Sequence, residues 1–200
     1  GLAGAGGVLV TTLNPINTAI LAAILFNIPL YRKDIAGMII GFIGGGMIMN
    51  IWNMDMDLLL QSGNAHFLLA SLSWAAVTLI TSRSKDVMPF IPYSFWSFGI
   101  ASLLSFLLAF DQPLLSIFQF DWVFWLNMLL LAVGAMAFGT TIYFLATRQL
   151  GPQKASSFIF TVPVTAMLFA MLFLNEELTI TIAIGSILAM FAVYLINKKL

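Results

Sequence analysis

Charge in this 200-residue chain is confined to short clusters, and between them lie seven uncharged runs: 1–31, 35–54, 58–82, 87–110, 122–147, 155–175 and 178–197. A helix needs ~20 residues to cross ~30 Å of hydrocarbon, and each run has about that length or more. Lipid offers no partner for backbone N–H and C=O groups, so only helices and closed barrels span it. Barrel strands would alternate in hydrophobicity over ~10 residues, and these runs do not. The reading is therefore an all-α, polytopic membrane helical bundle, with transmembrane helices near 6–27, 35–53, 64–82, 90–110, 122–147, 153–174 and 178–197. Composition removes the soluble alternative. The chain is 61% hydrophobic and 8% charged, against ~45–50% and ~25% in a soluble domain.

The same composition closes off several functions. Formal net charge is zero, so nucleic acid has no electrostatic footing. There is no cysteine, hence no thiolate metal site or cysteine nucleophile. One histidine, His66, is too few for a zinc site built on several imidazoles. Gly44-Gly45-Gly46 lies within a span and lacks the Lys-Ser/Thr of a phosphate-binding loop. No cofactor and no metal are expected.

Basic residues alternate along the chain. Arg32 and Lys33, Arg83 and Lys85, Arg148 and Lys154, and Lys198 and Lys199 occupy every second connection and the C-terminus, while the connections between them carry none. All eight Lys/Arg thus fall on one side, which the positive-inside rule assigns to the cytoplasm. Asp55, Asp57, Asp111, Asp121, Glu176 and Glu177 fall on the other. The expected location is the cell (inner) membrane, with Gly1 outside and the C-terminus cytoplasmic. Trp52, Trp122 and Trp125 are then placed near the outer interface.

Sliding the chain by 148 residues aligns Pro15 with Pro163, and Ala22, Asn27, Leu30, Gly37, Ile39 and Ile48 with identical residues at 170, 175, 178, 185, 187 and 196. The shift spans five predicted helices, so the two copies run in opposite directions. Inverted repeats with proline-broken helices at matching places belong to transporters with a midplane site. On this reading residues 1–54 are the last two helices of a first repeat, and 64–197 are a complete five-helix second repeat. The intact protein is expected to hold ten helices in two inverted five-helix repeats, with this chain as its C-terminal part.

Particular stretches carry a family resemblance. They are Ala146-Thr147-Arg148-Gln149-Leu150-Gly151-Pro152-Gln153-Lys154-Ala155-Ser156-Ser157, Thr161-Val162-Pro163-Val164, Leu174-Asn175-Glu176-Glu177-Leu178, Gly185 and Tyr194-Leu195-Ile196. Ser73-Trp74-Ala75-Ala76 and Ser82-Arg83-Ser84 add the opening of the second repeat. Together they resemble EamA-type members of the drug/metabolite transporter superfamily. The resemblance implies ten helices in inverted repeats, an inner-membrane location, and export or import of a small metabolite. Asn27-Ile28-Pro29-Leu30 departs from it, since the family often has a glutamate in this turn.

Apart from Lys154 at the start of the sixth, no predicted span contains a charged residue, so neutral polar groups must carry recognition. Thr11, Asn14 and Thr18 share a face of the first helix, beside Pro15 and Asn17. Pro15 frees a carbonyl one turn earlier. The asparagines either line a pathway or bond across helices, and both arrangements satisfy their polarity. In the sixth helix Ser157, Thr161 and Thr165 lie beside Pro163, with back-bonding to their own helix as the alternative. Trp74 shares a face with Ser71 and Thr78. It is either a packed aromatic or a flat wall for substrate. Asn127 and Tyr143 in the fifth helix are further pathway candidates. Gly37, Gly41 and Gly45, with Gly185 and Ala189 as a smaller echo in the seventh helix, read as helix-packing positions.

The function these features support is a secondary transporter of small organic metabolites working by alternating access. Its partners are the lipid bilayer and a small-molecule substrate, with a homodimer admitted and nucleic acid excluded. A membrane-embedded enzyme is disfavoured, because apart from His66 at the edge of the third span no span supplies His, Asp, Glu or Cys for catalysis. A non-transporting scaffold or receptor is disfavoured by the inverted repeat. A reporter fused after Asp34, Asp86 or Leu200 is expected to read cytoplasmic, and one within 112–120 external. A cytoplasmic reading from 112–120 would overturn the helix count.

Overall fold

The computed structural model describes residues 3–51, 65–175 and 177–198. Trp52, Asp55, Asp57 and Glu176 lie outside the described residues. The chain divides into two compact units, Gly1–Ile80 with Leu150–Leu200, and Thr81–Gln149. Among the described residues the regular structure is entirely helical.

The helices follow the uncharged runs. They are α1 (Ala3–Phe26), α2 (Arg32–Ile48), α3 (Ala65–Arg83), α4 (Phe90–Leu108), α5 (Trp122–Leu150), α6 (Pro152–Phe173) and α7 (Ile180–Asn197). Five helical stretches, His66–Asp86 and those of α4 to α7, are long and apolar enough to cross a membrane, and α1 contributes a shorter apolar stretch, Val10–Phe26. The protein is a multi-pass membrane helical bundle.

Helix ends depart from the charge boundaries where a charged group serves the helix itself. α2 starts at Arg32 rather than near residue 35, because Asp34 in its first turn accepts the Tyr31 N–H at 3.1 Å. That bond satisfies a backbone donor at the helix start and places a carboxylate at the positive end of the dipole. α2 stops at Ile48 rather than near 53, and Asn50 just beyond it is left-handed, with φ 53°. Its 17 residues rise about 25 Å. Asp121 caps α5 by accepting the Phe124 N–H at 2.9 Å, and Thr179 caps α7 by accepting the Ile182 N–H at 3.3 Å.

In the first unit the turns after α1 and α6 repeat one device. Asn27 and Asn175 are both left-handed, at φ 51° and 54°. Each turn bonds back to an alanine carbonyl. The Ile28 N–H donates to Ala22 O at 3.2 Å, and the Asn175 N–H donates to Ala170 O. Asparagine tolerates this conformation better than other side chains do. The pairs Ala22/Ala170 and Asn27/Asn175 are those aligned by the 148-residue shift.

The same unit holds the core, formed by Ala19, Met38, Ile48, Phe160, Ala189, Ala192, Val193 and Ile196. Its tightest crossing is α2 on α7. A Cβ on Gly44 would lie 2.7 Å from both Ala189 N and Gly185 O, and one on Gly185 would lie 2.7 Å from Gly44 O. Gly41 faces the Phe160 ring, and Gly37 faces Ile196. Gly45 meets Thr12 of α1 instead. The residue opposite Gly185 is thus Gly44, one position from the predicted stripe, because a 3.6-residue turn drifts off a strict four-residue spacing.

The second unit is inside out by soluble standards. Ser94 is the buried residue of α4, while Leu103, Leu104 and Leu107 are exposed. Its middle helix, α5, widens to a π-helix over Leu130–Thr140, where Thr140 Oγ1 donates to Ala135 O five residues back at 3.3 Å.

Gly44→Ala is expected to destabilise the assembled full-length protein by about 1–3 kcal/mol, the usual cost of overpacking. Gly99 of α4 has open space around it. Gly99→Ala should leave unfolding unchanged or slightly harder. Equilibrium unfolding in mixed micelles checks both.

Candidate functional site

Polar side chains of α1 and α3 meet in the first unit. Asn14, Thr18 and Ser71 are fully buried, and Thr12 is nearly so. Asn14 Nδ2 donates to the Ser71 carbonyl at 3.2 Å, and Asn17 Nδ2 donates to Ser71 Oγ at 3.0 Å. Thr18 Oγ1 donates to Asn14 Oδ1 at 3.5 Å. One serine therefore receives both asparagines, through its backbone and its hydroxyl. Ser71 lies one turn before Ala75 and two before Thr78, all three buried along one stripe of α3. Thr78 Oγ1 donates to Trp74 O at 2.9 Å. Pro15, between the asparagines, is buried too.

The two asparagines differ in what remains uncommitted. Asn14 is sealed, with its amide on Ser71 and its carbonyl oxygen on Thr18. Asn17 is half-buried, and its Oδ1 receives no hydrogen bond from the described residues. Asn17 thus has an acceptor to offer a ligand. Trp74 is half-buried on the helix that carries Ser71. Thr11 Oγ1 donates to Met49 Sδ at 3.8 Å, joining α1 to the end of α2.

The predicted residues of α6 behave differently. Thr161 Oγ1 donates to Phe158 O at 2.6 Å, and Thr165 Oγ1 donates to Thr161 O and Val162 O at 3.2 and 3.0 Å. Both hydroxyls stay on their own helix. Ser157 Oγ likewise donates to Lys154 O at 2.7 Å, and it accepts Asn197 Nδ2 of α7 at 2.9 Å. Pro163 is buried beside them, while Thr165 is exposed. The 148-residue shift pairs Thr165 with Asn17, yet one bonds within its helix and the other across to α3. A hydroxyl reaches its own helix carbonyls easily, and a longer amide reaches a neighbour.

In the second unit Asn127 is exposed and Tyr143 is half-buried. Next to Tyr143, the Phe144 ring packs edge-on against Tyr93 and face-on against Phe98. Thr81 Oγ1 and Tyr93 Oη lie 2.9 Å apart. Arg148 Nη2 donates to the carbonyls of Ser84 and Met88 at 3.4 and 2.5 Å, closing the turn after α3.

A groove of about 350 Å³ runs between α1 and α2, lined by Ile16, Ile20, Leu30, Met38 and Phe42 among others. None of the predicted polar residues lines it. Ser71 is the residue that the sequence reading placed on the right face but left out of the candidates. Its signal was the three-residue step to Trp74.

Residues 61–198 match the EamA-like transporter family. The chain belongs to that family. It is 26% identical to the uncharacterized transporter YoaV of Bacillus subtilis (strain 168) over 92% of this chain and 63% of the relative. It is 28% identical to the uncharacterized transporter sll0355 of Synechocystis sp. over 98% of this chain and 64% of the relative. A WAT1-related chloroplastic protein of Arabidopsis thaliana, At3g02690, is 26% identical over 98% of this chain and 48% of its own length. The chain spans less than two thirds of the length of each of these relatives.

Interhelical hydrogen bonds in membranes contribute ~0.6 kcal/mol on average and up to ~1.7. Ser71→Ala removes the acceptor of Asn17 and spares the carbonyl that holds Asn14. It is expected to cost about that much, with a coupling of the same size to Asn17→Ala. A double-mutant cycle in mixed micelles measures it.

Proposed function

We propose that this chain is part of a secondary transporter that exports or imports small organic metabolites by alternating access. It acts at the inner membrane with its C-terminus in the cytoplasm. Residues 1–54 would close a first repeat, and 64–197 would form the complete, inverted second repeat of a ten-helix protein. Membership of a transporter family supports the activity. The matched left-handed asparagine turns after α1 and α6 support the repeat.

The observation that carries the site is the half-buried amide of Asn17, fixed through Nδ2 to Ser71 with its oxygen unclaimed by the described residues. In this proposal Asn17 presents that oxygen to substrate, Trp74 supplies an aromatic wall, and Asn14 clamps α1 to α3 from behind. Thr11, Thr161 and Thr165 contribute polar lining beside Pro15 and Pro163. Asn127 and Tyr143 contribute from α5. Substrate recognition then rests on neutral hydrogen bonds and apolar contact. The chemistry is binding and release, with no catalysis, cofactor or metal. A second reading is favoured by the full burial of Asn14 and Ser71. In it the whole junction is a helix clamp and the pathway lies elsewhere.

The two readings separate by substitution in the full-length protein reconstituted in proteoliposomes. Asn17→Leu is expected to lower transport at least tenfold while leaving the amount of folded protein near wild type. Asn14→Leu should instead reduce folded protein, because it strips Thr18 of its acceptor and leaves the Ser71 junction half made. If both variants reduce folded protein equally and the surviving protein transports normally, the junction is a clamp alone.

A further inference from the structure

In the unit formed by Gly1–Ile80 and Leu150–Leu200, a cavity of about 140 Å³ lies where the start of α2, the start of α6 and the end of α7 meet. Tyr31, Lys33, Asp34, Gln153, Lys154 and Lys198 line it, along with Ile196. Three lysines against one aspartate give the lining a formal charge of +2. Two other grooves of this unit are apolar, one lined by residues such as Ile20, Met38 and Phe42 and the other by Met167, Met171 and Ile182.

Two of the charges are already spent. Lys33 Nζ donates to Ile196 O at 3.2 Å and to Lys198 O at 2.6 Å. These are carbonyls that α7 leaves without intrahelical partners at its C-terminus. Lys33 also pairs with Asp34 Oδ1 at 3.6 Å, and Asp34 Oδ2 accepts the Tyr31 N–H. The carboxylate is therefore neutralised and occupied, and little of its charge faces the cavity.

Three donors are uncommitted. Gln153 Nε2 is buried with no hydrogen-bond partner among the described residues. A buried amide donor left in that state is costly, and native proteins seldom keep one without a reason. The ammonium groups of Lys154 and Lys198 have no protein partner among the described residues either. The three residues that carry this amide and these two ammonium groups all line one small cavity. All of them are donors.

We propose that this cavity binds a phosphate group, presented by a lipid headgroup or by a soluble phosphate. A phosphate carries three strong acceptor oxygens and up to two negative charges, which match three donors and a +2 lining. A carboxylate offers two oxygens and one charge, and leaves a donor unpaired. Lysine binds phosphate as a point charge and needs no forked geometry. The cavity sits at the ends of membrane-length helices, the level at which basic pockets between helices meet headgroups. This site is independent of the Asn17 junction. It would couple α6 to the end of α7, because the ligand bridges Gln153 and Lys154 of α6 and Lys198 just beyond α7.

The test uses the full-length protein in a phosphate-free maltoside detergent, followed by thermal unfolding. One arm adds inorganic phosphate with chloride at matched ionic strength as the reference, and the other adds short-chain phosphatidic acid, whose headgroup is a terminal phosphate with three free oxygens. At least one arm is expected to raise the unfolding temperature saturably, and which arm does so identifies the source of the phosphate. Lys154→Gln and Gln153→Leu should each raise the half-saturating concentration about tenfold, the scale of one lost bond to a charged group. Lys85 is exposed in the turn after α3 and is not among the lining residues, and Lys85→Gln should change nothing. The proposal fails if neither ligand shifts unfolding beyond chloride. It also fails if the two pocket variants respond like wild type, or if Lys85→Gln weakens binding as much as they do. Should Gln153→Leu not fold, Lys154→Gln decides the outcome.

Discussion

The close approach of α2 and α7 is the contact on which the first unit depends. Lipid tails are as apolar as leucine, so burying Ile or Met between two membrane helices gains little over leaving it in lipid. What helices gain by touching is dispersion over a well-fitted surface, and that requires near backbone contact. Gly44 and Gly185 provide it, each lying where the other's missing Cβ would collide with a carbonyl oxygen. Gly37 and Gly41 extend the same fit to Ile196 and Phe160, the latter wholly buried. Everything else in this core, from Ala189 to Val193, is small or shaped to that distance.

Polar groups supply the second kind of adhesion, and their side-chain length decides where they bond. The hydroxyls of Ser157, Thr161 and Thr165 in α6 donate back to carbonyls of their own helix, so their donors reach no neighbour. Asparagines are a bond longer and reach the next helix, as Asn14 and Asn17 reach Ser71 and Asn197 reaches Ser157. The half-buried Asn17 differs from Asn14 in being anchored through one end of its amide only, which is why the proposed function assigns its oxygen to substrate.

The repeat is more legible in backbone conformation than in residue identity. Seven identities under a 148-residue shift are modest in a chain so rich in apolar residues. Two left-handed asparagines that terminate α1 and α6, each turn bonding back to the aligned alanine, are harder to produce without a shared local design. Under the same shift Thr165 aligns with Asn17, yet its hydroxyl serves its own helix.

Charge placement and run length alone determined that the chain is helical, crosses the membrane several times, and has its helices between the charged clusters. The physical reason is that lipid tolerates no unpaired backbone and almost no charge, which makes the pattern one-dimensional. Family membership was legible for the same reason, in the short turns that punctuate the helices. Sequence could not decide that Gly44 rather than Gly45 meets Gly185, since a one-residue shift rotates a helix by about 100° and crossing geometry chooses the face. Nor could it separate Asn14 from Asn17, single out Ser71 as the acceptor of both, or gather Lys33, Gln153, Lys154 and Lys198 around one cavity. Those depend on which helices come together and at what rotation, and only the packing of residues more than a hundred positions apart settles that.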